Sequence, residues 1–175
     1  MELRIYDPRI LAIDLRHRRF GYAIYEGHRR LLDWGVRTYP AVGESEVTMM
    51  RSRLTGLLRQ YSPSAIVVKK ERWARALTDL HMRGLVDAVT VEASRHQLSI
   101  RLLDSESIRK TFSNFGCETR DETASALARI FPELIWSLPP KRRPWQPEHS
   151  SMTTFDAIAL GLAYWQHPNM EVSDR

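Results

Sequence analysis

Three short apolar runs, separated by polar turns, occupy the first forty residues. Residues 10–14 read Ile-Leu-Ala-Ile-Asp, a pattern typical of a buried strand that ends in a carboxylate. A basic turn at 16–19 leads into a second run over residues 20–25, and a third run covers residues 30–39. Apolar runs joined by such short turns predict an antiparallel meander.

Beyond Pro40 the sequence alternates between helical spacing and short continuous apolar runs. In residues 44–60 the apolar side chains recur every three or four positions, which predicts a helix. Residues 65–68 are all apolar, as in a central parallel strand. The same criteria predict a long helix over 74–97, a strand over 98–103, and helices over 105–112, 119–131 and 153–166.

The order of these elements predicts an α/β layered domain. Three strands, a helix, a strand, a helix, a strand and further helices give a mixed five-stranded sheet flanked by helices. The length of 175 residues suits one domain spanning residues 1–175. Residues 132–147 hold five of the nine prolines and a basic triplet, which predicts an extended loop. Residues 168–175 are expected to form a frayed tail.

Charge allows a polyanionic partner without requiring one. The formal net charge is +5 and the sequence pI is about 9.7. Basic clusters lie at predicted turns and element ends beside aromatic residues, which suits phosphate backbones and unstacked bases. They equally fit solvated loops on a basic protein, so both interpretations stay open. The clusters are residues 17–19, 28–30, 69–72 and 141–143.

Hydropathy and cysteine content indicate in which cellular compartment the protein is expected. No apolar run approaches the roughly 18 residues that a membrane span needs, so no membrane association is expected. The N-terminal residues carry early charge and no long apolar run, which does not support a secretory signal. Cys117 is the only cysteine, which excludes an intrachain disulfide and a multi-cysteine zinc site. A cytoplasmic or other reducing compartment fits this composition.

Three acidic residues stand at the ends of predicted elements. Asp14 ends the first strand, Glu71 follows the fourth, and Asp156 lies in the first turn of the last helix. They converge if strands one and four are neighbours and the last helix packs across them. Such a trio binds Mg²⁺, and two ions about 4 Å apart activate water at a phosphodiester. Each acid also has a structural alternative, as a turn cap, an ion-pair partner or a helix N-terminal acid.

Several motifs together resemble the RNase H-like superfamily, and within it the RuvC-type Holliday junction resolvases. Residues 10–22 resemble the family's first hairpin, and residues 67–73 its strand that ends in the second acid. Residues 107–127 resemble its basic region around a Gly turn. Residues 155–163 resemble its final Asp-Ala helix. The resemblance covers roughly residues 9 to 166.

This resemblance implies a metal-dependent endonuclease of the crossover junction endodeoxyribonuclease type. Asp14, Glu71 and Asp156 would hold Mg²⁺, with Mn²⁺ as a substitute and two ions as the expected number. A homodimer would place two such sites on a four-way DNA junction, with the helix at 74–97 as its contact surface. The candidate DNA-contact residues are Arg16, Arg18, Lys69, Lys70, Trp73, Arg109, Lys110, Arg120, Lys141, Arg142 and Arg143.

Two departures from the family pattern keep a second function open. Leu15 and Arg16 replace the family's Pro-Gly, and Arg16 is either a phosphate contact or a group that crowds the site. The position of the family's fourth ligand holds Thr153, with His149 as an alternative. The chain is therefore expected to be a junction endonuclease, or alternatively a nucleic-acid-binding module with impaired catalysis. A related nuclease for RNA or other branched DNA is a third alternative.

Overall fold

The computed structural model describes residues 7–39, 44–141, 143 and 145–167, and within them the chain forms a layered α/β structure. The strands are β1 (Arg9–Arg16), β2 (Arg19–Glu26), β3 (Arg30–Thr38), β4 (Ala65–Lys69) and β5 (Ser99–Leu103). The helices are α1 (Glu44–Tyr61), α2 (Lys70–Ala74), α3 (Leu80–Arg95), α4 (Ser105–Ser113), α5 (Arg120–Ile130) and α6 (Met152–Gln166). Short 3-10 helices cover Arg75–Leu77 and Pro132–Ser137.

The five strands form one mixed sheet in the order β3-β2-β1-β4-β5. β1 pairs antiparallel with β2 and parallel with β4, and β5 extends the sheet in parallel beyond β4. β2 and β3 complete the antiparallel half. The predicted fold class, three antiparallel strands followed by parallel strands with flanking helices, is therefore confirmed, as is the adjacency of strands one and four.

Strand periodicity divides the core into two layers. Alternate side chains of a strand point to opposite faces of its sheet. In β1, Leu11, Ile13 and Leu15 join the cluster that contains α1 and α3, whereas Ile10 and Ala12 join the cluster around α4, α5 and α6. By the same alternation, the side chains of residues 14 and 16 point to the face that packs against α4, α5 and α6. The polar end of β1 therefore faces α6.

The long helix predicted over residues 74–97 is interrupted. The chain forms α2, a 3-10 turn and then α3, which starts at Leu80 and ends at Arg95. The side chain of Asp79 accepts hydrogen bonds from the backbone N–H groups of His81 and Met82 and so caps α3. The capping aspartate sets where α3 begins, and the spacing of apolar residues alone does not show this start.

The predicted extended loop over residues 132–147 begins with helical structure. Pro132 opens a 3-10 helix that runs to Ser137, consistent with the backbone angle that proline imposes on a first helical turn. Two parts of the sequence prediction, Arg142 with Pro144 and the tail at 168–175, lie outside the described residues. Within the described part of this loop, Lys141, Arg143 and Trp145 are exposed.

α6 is buried along nearly all of its length against β1 and β2. The hydroxyl of Tyr25 donates to the carbonyl of Ile158 at 2.7 Å, and Gly161 lies directly against the Tyr25 ring. No helix in the described part of the chain is long and apolar enough to cross a membrane. The apolar surface of α6 is used instead to form the core.

Candidate active site

Asp14 and Asp156 meet at the end of β1. Gly21 of β2 pairs with Asp14 across the sheet. A Cβ at Gly21 would collide with the backbone carbonyl of Thr153, so glycine at this position lets the first turn of α6 approach the strands closely. Asp156 follows one turn later and lies against the end of β1. The prediction that these two acids converge agrees with this arrangement.

A single guanidinium group joins the two carboxylates. Nε of Arg16 donates to Oδ2 of Asp14 at 2.6 Å, and its Nη2 donates to Oδ2 of Asp156 at 2.8 Å. Burial alone would lower the pKa of Arg16, but Asp14 and Asp156 together hold it above its usual value. Charge-assisted hydrogen bonds of this kind are short and strong. A cation of the chain itself therefore offsets part of the charge of the acidic pair.

Asp14 is fully buried, and only one of its two carboxylate oxygens accepts a hydrogen bond. Burial raises the pKa of its carboxyl group, with Arg16 acting in the opposite direction and Asp156 raising the pKa further. Its Oδ1 atom accepts no hydrogen bond, and Nε of Arg72 lies 3.8 Å away. A buried oxygen without a partner is costly and uncommon. It is the kind of atom that a bound cation would satisfy.

Asp156 takes part in a second ion-pair network. Arg120, at the start of α5, contacts both carboxylate oxygens of Asp156 and also pairs with Glu148. α6 begins at Met152, so Asp156 lies beyond the first helical turn. The alternative role of Asp156 as a helix N-terminal acid is therefore not supported.

Glu148 and Arg72 are residues at this site that the sequence prediction did not include. Glu148 directly follows the proline-rich loop without a motif around it, and only the tertiary structure brings it to Arg120. Glu148 and Arg120 line a cavity of about 420 Å³ together with Pro139, Pro140 and His149. This cavity adjoins the acidic pair through Arg120.

Glu71 does not join the other two acids. It is exposed, and its Oε1 accepts the backbone N–H of Ser105 at 2.7 Å at the start of α4. Within the described ranges, no set of three ligand atoms closer than 4.8 Å includes Asp14, Glu71 and Asp156. Glu71 lies in the first turn of α2, directly after β4, and it links that turn to α4. Of the three predicted acids, Asp14 and Asp156 therefore lie together, and Glu71 lies apart from them.

The two candidates for a fourth ligand lie elsewhere. Thr153 is 2% exposed, and its Cγ2 methyl group faces the backbone of Gly21. His149 is exposed, and its Nδ1 contacts the hydroxyl of Ser151 at 2.7 Å just before α6. Neither contact directs a ligand atom towards Asp14 and Asp156.

The predicted DNA-contact residues fall into two groups. Arg16 and Arg120 are engaged by the acidic pair and its network, and Arg109 pairs with Glu106 on the exposed face of α4. Lys69 is half-buried and close enough to lower the pKa of Asp14. The other basic candidates that the structure describes have exposed side chains: Arg18, Lys70, Lys110, Lys141 and Arg143.

The prediction for Trp73 requires correction. Its side chain is 6% exposed and belongs to the core cluster shared by α1 and α3. The indole cannot stack on a nucleic-acid base from this position, because the α2 turn directs it into the core. The exposed tryptophans in the described residues are Trp136, at 94%, and Trp145, at 76%. Both lie between α5 and α6.

The donor set fits one hard divalent cation. Asp14 and Asp156 supply carboxylate oxygens, which Mg²⁺ prefers, and Oδ1 of Asp14 is buried without a hydrogen-bond partner. Arg16 lies between the two carboxylates and must release them for a metal to bind. With Glu71 held by Ser105, the described residues do not assemble a three-acid set for two ions.

The architecture is the RNase H-like fold of the RuvC-type junction resolvases. No family model matches the sequence, and no curated protein matches it. The structure of Thermus thermophilus RuvC in complex with a Holliday junction substrate aligns with a TM-score of 0.68 and 16% identity, covering 94% of this chain and 99% of that chain.

Two further structures give the same result. A second Thermus thermophilus RuvC structure aligns with a TM-score of 0.68 and 18% identity, over 94% of this chain and 99% of that chain. The yeast mitochondrial Holliday junction resolvase Ydc2 aligns with a TM-score of 0.57 and 16% identity, over 94% of this chain and 81% of its own. At these identities the likeness establishes the fold.

Proposed function

We propose that this protein is a structure-selective endonuclease that acts on branched DNA, with the four-way junction as its substrate. The observation that carries the proposal is the convergence of Asp14 and Asp156 at the end of β1 in this fold. One structural neighbour is described as a Holliday junction resolvase, and another is bound to a Holliday junction substrate. This supports the same class of substrate here.

In the proposed mechanism Asp14 and Asp156 hold Mg²⁺, for which Mn²⁺ substitutes. A divalent ion at carboxylates supplies Lewis-acid stabilisation of a phosphoryl oxygen and lowers the pKa of bound water. Arg16 releases the two carboxylates, and its cationic side chain then neutralises a DNA phosphate. Arg120 holds Asp156 and Glu148 in place while Arg16 moves from the carboxylates to the phosphate. Glu71, two residues after β4, is the proposed third acid once its contact with Ser105 is broken.

The proposed DNA surface combines exposed cations with exposed aromatic rings. Lys141 and Arg143 lie in the loop before α6, and the Arg143 guanidinium lies 5.8 Å from the centroid of the Trp145 ring. Phosphate contacts supply most of the sequence-independent affinity for DNA. An unstacked base on an exposed indole contributes about 1 to 3 kcal/mol. Trp136 and Trp145 take the DNA-contact role for which Trp73 was a candidate.

Junction resolution requires two coordinated nicks, so we propose a homodimer in a reducing compartment that contains DNA. Leu77 and Leu80 are 66% and 78% exposed, in the interrupted segment that was predicted to be the contact helix. Large apolar side chains with this exposure favour association with another surface. Sedimentation of the purified protein with and without a junction measures this directly.

The proposed activity is tested by a cleavage assay on three matched substrates. A labelled four-way junction, a linear duplex and an RNA–DNA hybrid are each incubated with EDTA, Mg²⁺ or Mn²⁺. The proposal predicts paired, metal-dependent nicks in the junction and no cleavage of the duplex. Cleavage restricted to the hybrid would contradict the proposed substrate and favour a related RNA-directed nuclease.

A junction-binding module without cleavage is the second candidate function. It is favoured by the contacts of Arg16 and Arg120, which already compensate both carboxylates with positive charge. A metal ion must displace at least one of these contacts. The same assay separates the two candidates, because a binding module shifts the junction in a gel and leaves it intact with every metal.

A further inference from the structure

Three side chains with metal-binding atoms meet on the opposite face of the sheet from the acidic pair. Ligand atoms of His17, Glu46 and His81 all lie within 4.8 Å of one another. The residues come from the turn between β1 and β2, the first turn of α1 and the first turn of α3. They belong to the layer of α1 and α3, whereas Asp14 and Asp156 face α6.

Two atoms of this cluster are buried and lack hydrogen-bond partners. Glu46 is 6% exposed, and neither its Oε1 nor the Nε2 of His81 makes a hydrogen bond. These two atoms lie 3.4 Å apart. Two ligands at about 2.0 Å from a tetrahedral metal lie about 3.3 Å apart. The pair therefore has the spacing of two adjacent ligands and leaves atoms that a metal would satisfy.

His17 supplies the third ligand from the solvent side. Its ring stacks on that of His81 with centroids 4.1 Å apart and an interplanar angle of 16°. Imidazole nitrogens bind a metal in the plane of the ring, so His17 must turn out of this stack before it and His81 can bind the same ion. His17 is exposed, which leaves its ring room to turn towards the other two ligands.

We propose that His17, Glu46 and His81 form a binding site for Zn²⁺ or a chemically similar late first-row metal. Two imidazole nitrogens and one carboxylate oxygen suit such ions, whereas Mg²⁺ prefers an all-oxygen set. Water completes the coordination at the exposed side. The metal ties the β1–β2 turn, which directly follows Arg16, to α1 and α3. This site is independent of the proposed nuclease activity.

Two titrations test the proposal on the full-length protein. Metal-free protein is titrated with Zn²⁺ in a calorimeter and with Co²⁺ in a spectrophotometer, since tetrahedral Co²⁺ absorbs strongly in the visible range. We expect one equivalent of either metal to bind, with a rise in melting temperature. His17→Ala and His81→Ala are expected to weaken binding at least about tenfold. His28→Ala, in the exposed β2–β3 turn, is the matched control and is expected to bind normally.

A double variant with Asp14→Asn and Asp156→Asn separates this site from the acidic pair, and it is expected to bind Zn²⁺ normally. Absence of Zn²⁺ binding in the micromolar range would overturn the proposal. So would binding that survives in His17→Ala, or that disappears only in the double Asn variant. His17→Ala changes an exposed side chain and is expected to fold, so its result is decisive even if His81→Ala does not fold.

Discussion

At the scale of single residues, Arg16 is the group that decides how the acidic pair behaves. Asp14 is fully buried, and Arg16 is the cation that pairs with both Asp14 and Asp156. Removing one partner of a buried ion pair leaves the other charge uncompensated, which costs more than the pair contributes. The same contact must be released when a metal ion binds between the carboxylates.

Arg16→Gln is therefore expected to lower the free energy of unfolding by about 2 to 4 kcal/mol in EDTA. Mg²⁺ should restore part of this loss, because a ligand that binds only the folded state stabilises it. Urea denaturation with and without Mg²⁺ measures both effects. Arg18→Gln, in the exposed turn two residues on, is the control and should leave stability unchanged. Equal stability of Arg16→Gln and the wild type would contradict the role of the guanidinium.

Glu92 provides a prediction for the dependence of stability on pH. Burial alone would raise its pKa, but hydrogen bonds from Arg51 and Thr55 hold the pKa below its usual value. A lowered pKa stabilises the fold above the unfolded-state value of about 4.3, and this contribution disappears as the pH falls through the folded-state value. Glu92→Gln should cost about 1 to 3 kcal/mol at pH 7. The difference from the wild type should shrink below about pH 4, and a difference that grows on acidification would contradict this assignment.

At the scale of elements, the approach of α6 to β2 positions the site. Gly21→Ala should destabilise the protein by about 1 to 3 kcal/mol, because the new Cβ meets the carbonyl of Thr153 in the helix backbone. Gly56→Ala is a matched control, since nothing lies within 4 Å of a Cβ there and alanine favours the α1 helix by about 0.5 to 1 kcal/mol. Thermal unfolding distinguishes them, and a stabilised Gly21→Ala variant would contradict the proposed close packing.

The elements themselves were largely predictable from local sequence. Thr119 and Glu122 form a capping box at α5, and apolar spacing predicted α1 almost to the residue. The break before α3 was missed because it depends on one capping aspartate, Asp79, within an apolar pattern that continues through it. The sequence could not decide between a buried and an exposed Trp73, because the short α2 turn sets the direction of its side chain.

At the scale of the whole molecule, the mixed five-stranded sheet was predictable and the ion pairs were not. Apolar runs indicated which strands are central, whereas the convergence of Asp14 and Asp156 depended on strands one and four being neighbours, which the structure shows. No sequence pattern links Arg16 to Asp156 or Arg120 to Glu148, because these contacts depend on how α5, α6 and the proline-rich loop pack. The same limit applies to Glu71, whose carboxylate is held by α4.

The distribution of charge gives a prediction for DNA binding. Replacing Lys141 and Arg143 together by glutamine should weaken junction binding and reduce the slope of log affinity against log salt by about 2, since each phosphate contact contributes about 0.9. Arg53 and Arg59 are exposed on α1, against the other face of the sheet, and the same double replacement there is the control. Equal slopes for both double variants would exclude the proline-rich loop from the interface.

The most direct test compares wild-type protein with Asp14→Asn and Asp156→Asn on one labelled four-way junction. Binding is measured without divalent metal, and cleavage with Mg²⁺ or Mn²⁺. If the acidic pair carries the chemistry, both variants should bind the junction with roughly wild-type affinity and cleave it at least about 100-fold more slowly. Cleavage by either variant at the wild-type rate, or wild-type binding without cleavage under any metal, would contradict the proposed nuclease activity.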